Sequence, residues 1–310
     1  MDSKKKNQWK AWLYLLPAII ILAIFTVWPI INTIRMAFIK DYNALAANQK
    51  IVVGFANFAK VSKYRGFLNC LGNTMILCVV TVPISTMLAL LIAVALNSIK
   101  FVRNTMQTIF FLPYVTNSIA IGMVFMAMFT IIGGGPGREP LSIGIINSII
   151  EAFGGKRVNW VNDGSSKFAN MAVLVIYIVW NALPFKILVL LGGLQSVNKQ
   201  YYEAARVDGT SRLRTFWRIT VPLLSPMIAY VVITGFIGGF KEYTSIVGIF
   251  GDSMGPVGDS GRLNTMVGFI YDILKDSNYG LASAAALILF AIIFAVTIIN
   301  LYVSKKKVHY

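Results

Sequence analysis

Apolar residues in this chain fall in long unbroken runs, not in the alternating or three-and-four spacing of a soluble amphipathic protein. Six runs reach the ~20 residues that a helix needs to cross a hydrocarbon layer. They lie at about 12–38, 74–97, 105–132, 171–193, 226–250 and 281–303. They predict an all-α membrane protein with six transmembrane helices in a single domain over 1–310. Pro17, Pro29, Pro83, Pro113 and Pro184 fall inside runs, where proline kinks a spanning helix without ending it. The first run is too long for the apolar core of a signal peptide and predicts a retained span. Between the runs lie a mixed loop at 40–72, a connector at 98–104 with Lys100 and Arg103, a long interval at 133–169 and a Gly- and Asp-rich loop at 251–280. Within the long interval, Leu141 to Phe153 has apolar residues at helical spacing but is too short to span, which predicts a helix along the outer surface.

Composition sharpens this picture. The chain is 57% hydrophobic and only 13% charged, which excludes a soluble domain and a single-anchor protein alike. Its net charge of +16 could suggest nucleic acid, but the basic residues are scattered between apolar runs and build no basic domain; orientation in the bilayer accounts for them. Fourteen Lys and Arg fall in the N-terminal segment, 98–104, 194–221 and the tail, against twelve in the three opposite loops when Lys241 is counted with the last of them. The first set occupies roughly half as many residues in the short segments that the positive-inside rule weights most. Both termini and the 194–221 loop are therefore expected in the cytoplasm. Cys70 and Cys78, about 12 Å apart along one helix, exceed disulfide reach. His309 is the only histidine, so histidine-based metal sites and triads are excluded by count. The GGGPG at 133–137 is not followed by Gly-Lys-Ser or Gly-Lys-Thr and is no phosphate loop. The Met123–Met128 stretch reads as packing filler.

The polar loop at 194–221 stands apart. Helix formers from Lys199 to Val207, with Ser196 or Asn198 to cap them, end at Asp208-Gly209, where glycine can take the left-handed conformation. Thr210 or Ser211 caps a second helix, with Leu213, Phe216 and Trp217 on one face and Arg212, Arg214 and Arg218 on the others, and Pro222 stops or kinks it. The small pair Ala204-Ala205 suits close approach by another surface, and Glu203 adds a fixed charge.

This stretch resembles the signature of membrane permease subunits of binding-protein-dependent ABC importers: Glu-Ala-Ala, three residues, Gly, nine residues, Ile, one residue, Leu, Pro. Glu203, Ala204, Ala205, Gly209, Ile219 and Pro222 stand at those spacings, with Val221 in place of the leucine. The resemblance runs from about Trp12 to Val303 and is greatest to sugar permeases of the maltose-permease type. It implies the type I importer permease fold, a bacterial cell-membrane location, and assembly with a second permease, in sugar permeases usually a different chain, two ATPase subunits and an extracytoplasmic sugar-binding protein. ATP and Mg would be bound by the ATPase, with no cofactor in this chain. Glu203, Ala204, Ala205, Asp208 and Gly209 would dock into a cleft of the ATPase. The sugar-contacting positions of such a subunit fall on Ile178, Asn181, Ala182 and Phe185, and on Gly235, Gly238, Gly239 and Glu242, with the glycines implying a wider or reshaped pocket.

The residues themselves point to the same region. Lys186, Lys241 and Glu242 are charges inside apolar runs, each costing on the order of 3 kcal/mol at mid-bilayer unless paired or hydrated. They line a cavity, pair with one another, or, for Lys186, snorkel towards the cytoplasm. Trp180, Phe185 and Tyr243 are candidate stacking platforms for sugar faces or packing residues. With no phosphate loop, paired carboxylates or metal cluster, the chain is expected to transport without hydrolysing anything. The readings left open are a sugar importer, an importer of glycerol phosphate or of a modified or anionic sugar, and a gradient-driven carrier, which would need an ion relay and usually a repeated half.

Overall fold

The computed structural model describes residues 3–43, 45, 51–99, 105, 108–109, 112, 114–133 and 139–307. Lys100, Arg103, Pro113, His309 and all but the first residue of GGGPG lie outside the described residues, as do the side chains of Lys4, Lys5, Lys6, Lys306 and Lys307. The chain is described as two compact units, Met1–Phe67 with Phe269–Phe290 and Leu68–Gly268 with Ala291–Tyr310.

The first unit opens with α1 (Ser3–Leu22), a five-residue π-turn (Ala23–Val27) and α2 (Trp28–Phe38). Pro29 follows the π-turn by two residues. Its ring would meet the carbonyl four residues back in a regular helix, and the widened turn makes room. A single bridge, Ile39 to Val53, closes the loop after α2. It stands on α3 (Ala56–Ser62), absent from the hydropathy pattern, where the 1%-exposed Asn57 donates to Ala37 O at 2.9 Å and Ile39 O at 2.8 Å and accepts from Asp41 N at 3.0 Å. From the far end of the chain, Phe269 of α13 (Met266–Lys275) packs edge-on against Tyr64 and Phe67, and Gly280 of α14 (Tyr279–Lys307) donates its amide to Tyr42 O.

The second unit is built on α4 (Phe67–Ser98) and α7 (Lys167–Ser196), the latter capped by Ser166 accepting from Ala169 N. With them lie α5 (Ser118–Phe129), α6 (Gly144–Ala152), the helices of the 200–223 loop, α11 (Ser225–Phe240) and α12 (Thr244–Phe250). Four described helices are long and apolar enough to cross a membrane: Trp12–Phe38, Phe67–Ser98, Lys167–Ser196 and Tyr279–Lys305. A fifth is counted if Arg212–Leu223 and Ser225–Phe240, bent by 69°, form one span.

Two expected runs are broken. In the third, Asn117 is extended and its side chain accepts from Ile119 N and Ala120 N, so a new helix starts at Ser118. In the fifth, α11 ends at Phe240 and α12 begins at Thr244, because the Glu242 carboxylate accepts from Tyr243 N and Ser245 N and opens a second helix. α12 then crosses α5 at a glycine pair: a Cβ on Gly122 would lie 2.7 Å from Gly248 Cα.

Packing in this unit separates into two apolar clusters. One holds Leu77 of α4, Met171 to Ile178 of α7 and Ile246, Ile249 and Phe250 of α12. The other holds Ala89, Ala93 and Leu96 of α4, Ile187 to Leu194 of α7, and Leu224 and Val231. On each helix the residues between the clusters are the more polar ones.

Candidate functional site

Those intermediate residues line an open-sided cavity of about 300 Å³. Its wall holds Ile178, Asn181, Ala182, Phe185 and Lys186 from α7, Gly235, Gly238 and Gly239 from α11, and Glu242 from the break after it. Thr81, Val82 and Ser85 of α4, Thr234 of α11 and Tyr114 complete the lining. The α4 hydroxyls carry no sequence signal, since a Thr or Ser in an apolar helix ordinarily bonds its own backbone. Tyr114 stacks on Phe185 with ring centroids 6.1 Å apart. Trp180 and Tyr243 pack instead against the apolar core, Trp180 with its ring 5.2 Å from Phe125.

Lys186 neither snorkels nor pairs with a carboxylate. It is 4% exposed, and its ammonium donates to Val82 O at 3.2 Å, Ser85 Oγ at 2.6 Å and Thr86 Oγ1 at 2.9 Å. Those bonds occupy its three donors and brace α7 against α4 next to Pro83 and Pro184. Glu242 is held by amides rather than by Lys241 or Lys186, and Thr265 Oγ1 donates to its backbone carbonyl at 2.8 Å. Lys241 is exposed.

Only one of the three glycines opens the cavity. A Cβ on Gly238 would meet nothing within 4 Å, whereas one on Gly235 would lie 3.1 Å from Val82 Cγ1 and one on Gly239 2.9 Å from Cys78 Sγ. Gly235 and Gly239, four apart, let α4 approach α11, the small-residue packing common between membrane helices.

The 200–223 loop is a bent pair of helices. α8 (Gln200–Val207) has no side-chain cap on its first turn beyond Asn198 Oδ1 accepting from Gln200 N. It ends at Gly209, φ +67°, with Thr210 N donating to Ala205 O at 2.9 Å and Gly209 N to Arg206 O at 3.2 Å, which satisfies otherwise orphaned carbonyls. Ser211 caps α9 (Arg212–Thr215) by accepting from Arg214 N. A second π-turn, Phe216–Thr220, follows, then α10 (Val221–Leu223). Pro222 does not stop the helix: it again stands two residues past a π-turn, and the bend comes at Leu224. Glu203, Ala204, Val207 and Asp208 are exposed, but Ala205 is buried in its own chain. The small face offered outwards is therefore Ala204 alone, flanked by Val207, with Leu213 and Trp217 exposed on the second helix. A cleft of about 330 Å³ lies between the two helices, lined among others by Tyr202, Arg206, Arg212 and Phe216.

Among the described residues no group of three His, Cys, Asp or Glu is placed to hold a metal, and Cys70 and Cys78 are buried and form no disulfide.

Residues 58–309 match the family model described as binding-protein-dependent transport system inner membrane component. The chain is 29% identical over 300 residues to the arabinooligosaccharides transport system permease protein of Bacillus subtilis (strain 168), covering 94% of this chain and 88% of that protein. It is 28% identical to the trehalose/maltose transport system permease protein of Thermococcus litoralis, covering 96% and 94%. It is also 28% identical to the sn-glycerol-3-phosphate transport system permease protein of Agrobacterium fabrum, covering 98% and 97%. Its fold is that of a chain in a bacterial alginate ABC transporter solved in complex with an alginate pentasaccharide-bound periplasmic protein, with a TM-score of 0.78 at 22% identity over 98% of this chain and 96% of that one.

Proposed function

Because the chain belongs to the family of binding-protein-dependent transport system inner membrane components, we propose that it is the permease subunit of an ATP-driven importer moving a mono- or oligosaccharide by alternating access. In this reading a separate ATPase docks on the exposed side of α8, around Glu203, Ala204 and Asp208. A second permease subunit closes the cavity from the other side, and an extracytoplasmic binding protein delivers the solute. Both termini and the 194–221 loop face the cytoplasm.

The observation that carries the reading is continuity. One uninterrupted stretch, 200–242, holds the exposed helical elbow at one end and a cavity wall at the other. Movement imposed at α8 and α9 passes through the bend at Leu224 into α11, whose Thr234, Gly235, Gly238 and Gly239 line the cavity. A two-state rearrangement driven from the elbow therefore reaches the solute pathway directly.

The lining favours a neutral sugar over an anionic solute. Asn181, Thr81, Thr234 and Glu242 offer groups for hydroxyls, and the Tyr114–Phe185 ring pair offers an apolar face. An anion would have to win the Lys186 ammonium from Ser85 and Thr86. The names of the arabino-oligosaccharide and trehalose/maltose relatives support the same class.

The test is uptake by the complete complex in proteoliposomes, with arabino-oligosaccharides, trehalose, maltose and glycerol 3-phosphate offered separately and ATP trapped inside. Uptake of a neutral sugar that requires both ATP and the ATPase subunits, and falls in Asn181→Ala, is the expected outcome. Uptake sustained by an ion gradient without the ATPase, or confined to glycerol 3-phosphate, refutes the reading.

A further inference from the structure

The short helix α6 holds an apolar stripe that its own chain leaves uncovered. Ile145 and Ile149 of the helix and Phe153, its C-cap, recur every fourth residue and are 58%, 50% and 89% exposed. Four-residue spacing on a helix places side chains one above another on one face.

The stripe is held facing outwards by what lies opposite it. Asn147 is fully buried; its Nδ2 donates to Val158 O at 3.0 Å, and its Oδ1 accepts from Val158 N at 3.0 Å and Trp160 Nε1 at 3.2 Å. Asn147 is two residues from both Ile145 and Ile149, roughly 200° round the helix at 3.6 residues per turn, so these bonds fix the helix's rotation. Trp160 in turn meets Phe129, the last residue of α5, edge-on at 5.7 Å. The start of α6 is pinned to the same place. Gly144, φ +74°, has room only for a hydrogen, since a Cβ would lie 2.6 Å from Met128 O, and Ile132 and Ser142 exchange two backbone bonds just before it.

These contacts place the stripe where α5 ends, and α5 itself exposes Met123, Val124 and Met126. In a membrane component such an exposed apolar face suits lipid, and the uncovered apolar surface of α6 is continuous with it. At nine residues α6 is about 13 Å long, too short to span and long enough to lie in the interface plane. Arg157, bonded to both Glu151 and Glu139, supplies the charged border expected beside such a surface.

We propose that α6 is an interfacial helix whose Ile145–Ile149–Phe153 stripe enters the headgroup and acyl boundary of the bilayer leaflet at the end of α5, anchoring the 139–166 segment to lipid. This holds whatever the solute, since it needs only a membrane-embedded chain.

Single cysteines are introduced as Ile145→Cys, Ile149→Cys, Phe153→Cys and, as a reference, Lys156→Cys. The native Cys70 and Cys78 are buried and escape mild labelling. Each variant is spin-labelled in the complete transport complex in lipid nanodiscs, and collision with oxygen, which concentrates in lipid, is compared with collision with a water-soluble nickel chelate. An oxygen-to-nickel ratio several-fold higher at 145, 149 and 153 than at 156 is the expected result. Ratios at the stripe equal to that at 156 mean it stands in water, and immobile labels reached by neither collider mean that a protein covers it. Either outcome overturns the proposal.

Discussion

Replacing Lys186 with methionine removes a buried cation from the middle of the protein, and the geometry gives the sign of the effect. Three bonds to the ammonium contribute roughly 1.5–3 kcal/mol each. Against them stands a desolvation cost of several kcal/mol for one unpaired charge, so the net worth of the brace is small. The hydroxyls left behind are not orphaned. Ser85 Oγ still donates to Thr81 O at 2.6 Å and Thr86 Oγ1 to Val82 O at 2.7 Å, while methionine fills the stem's volume. Lys186→Met is therefore expected to unfold within ~1 kcal/mol of the parent, or later, in line with apolar replacements of buried ions. The converse change, Ser85→Ala with Thr86→Val, strands the ammonium on Val82 O alone and should cost ~3–5 kcal/mol, as removal of one side of a buried charged pair does. The triple variant should regain most of that loss, giving a coupling well beyond the ~0.5 kcal/mol of independent sites. Unfolding of the purified complex, followed by size-exclusion fluorescence across a temperature series, reads all four members of the cycle. If Lys186→Met is as damaged as the hydroxyl pair, or the triple variant fails to recover, the brace has been misassigned.

Three further outcomes follow from local geometry. Gly209 sits at φ +67° with nothing within 4 Å of a would-be Cβ, so conformation alone limits substitution: Gly209→Val should lose solute-stimulated ATPase activity in the assembled complex, and Gly209→Asn, which tolerates the left-handed region, should keep most of it. At the α5–α12 crossing, Gly122→Ala puts a Cβ 2.7 Å from Gly248 Cα; the helices must part by about 1 Å to reach carbon contact distance, lowering stability by ~1–3 kcal/mol, and an unchanged melting profile would show that the crossing is loose. The Lys60 ammonium, bonded to Asp41 at 2.7 Å, holds the Asp41 carboxyl below its ordinary 3.8, so the pair's contribution is present above pH 3.8 and is lost as pH falls through the lower folded value. Both side chains are two-fifths or more exposed, which limits it to ~1 kcal/mol, and Lys60→Met should flatten that part of the stability-against-pH curve relative to the parent.

Much of the scaffold is legible in the sequence because hydropathy runs of membrane length have few competing interpretations. The elbow is legible for a different reason: its ends are set by single residues of strong preference, Gly209 in the left-handed region and Ser211 as a cap. The breaks after Thr116 and Lys241 are not legible, since each depends on one side chain, Asn117 or Glu242, turning to accept amide protons, and an average over twenty apolar residues does not register that choice. The company of Lys186 is hidden likewise, because Thr81, Ser85 and Thr86 read as helix hydroxyls bonded to their own backbone until α7 is laid beside α4. The glycines mislead in the opposite direction. A widened pocket is the natural expectation for Gly235, Gly238 and Gly239, yet two of the three are occupied by the close approach of Val82 and Cys78.

Glu242 puts one carboxylate to two uses. Its carboxylate borders the cavity and also holds the amides from which α12 starts. On the proposed reading, a sugar hydroxyl that donates to this carboxylate touches the group on which a helix, locked onto α5 glycine to glycine, begins. Cargo would then bear on the footing of that helix with no intermediary.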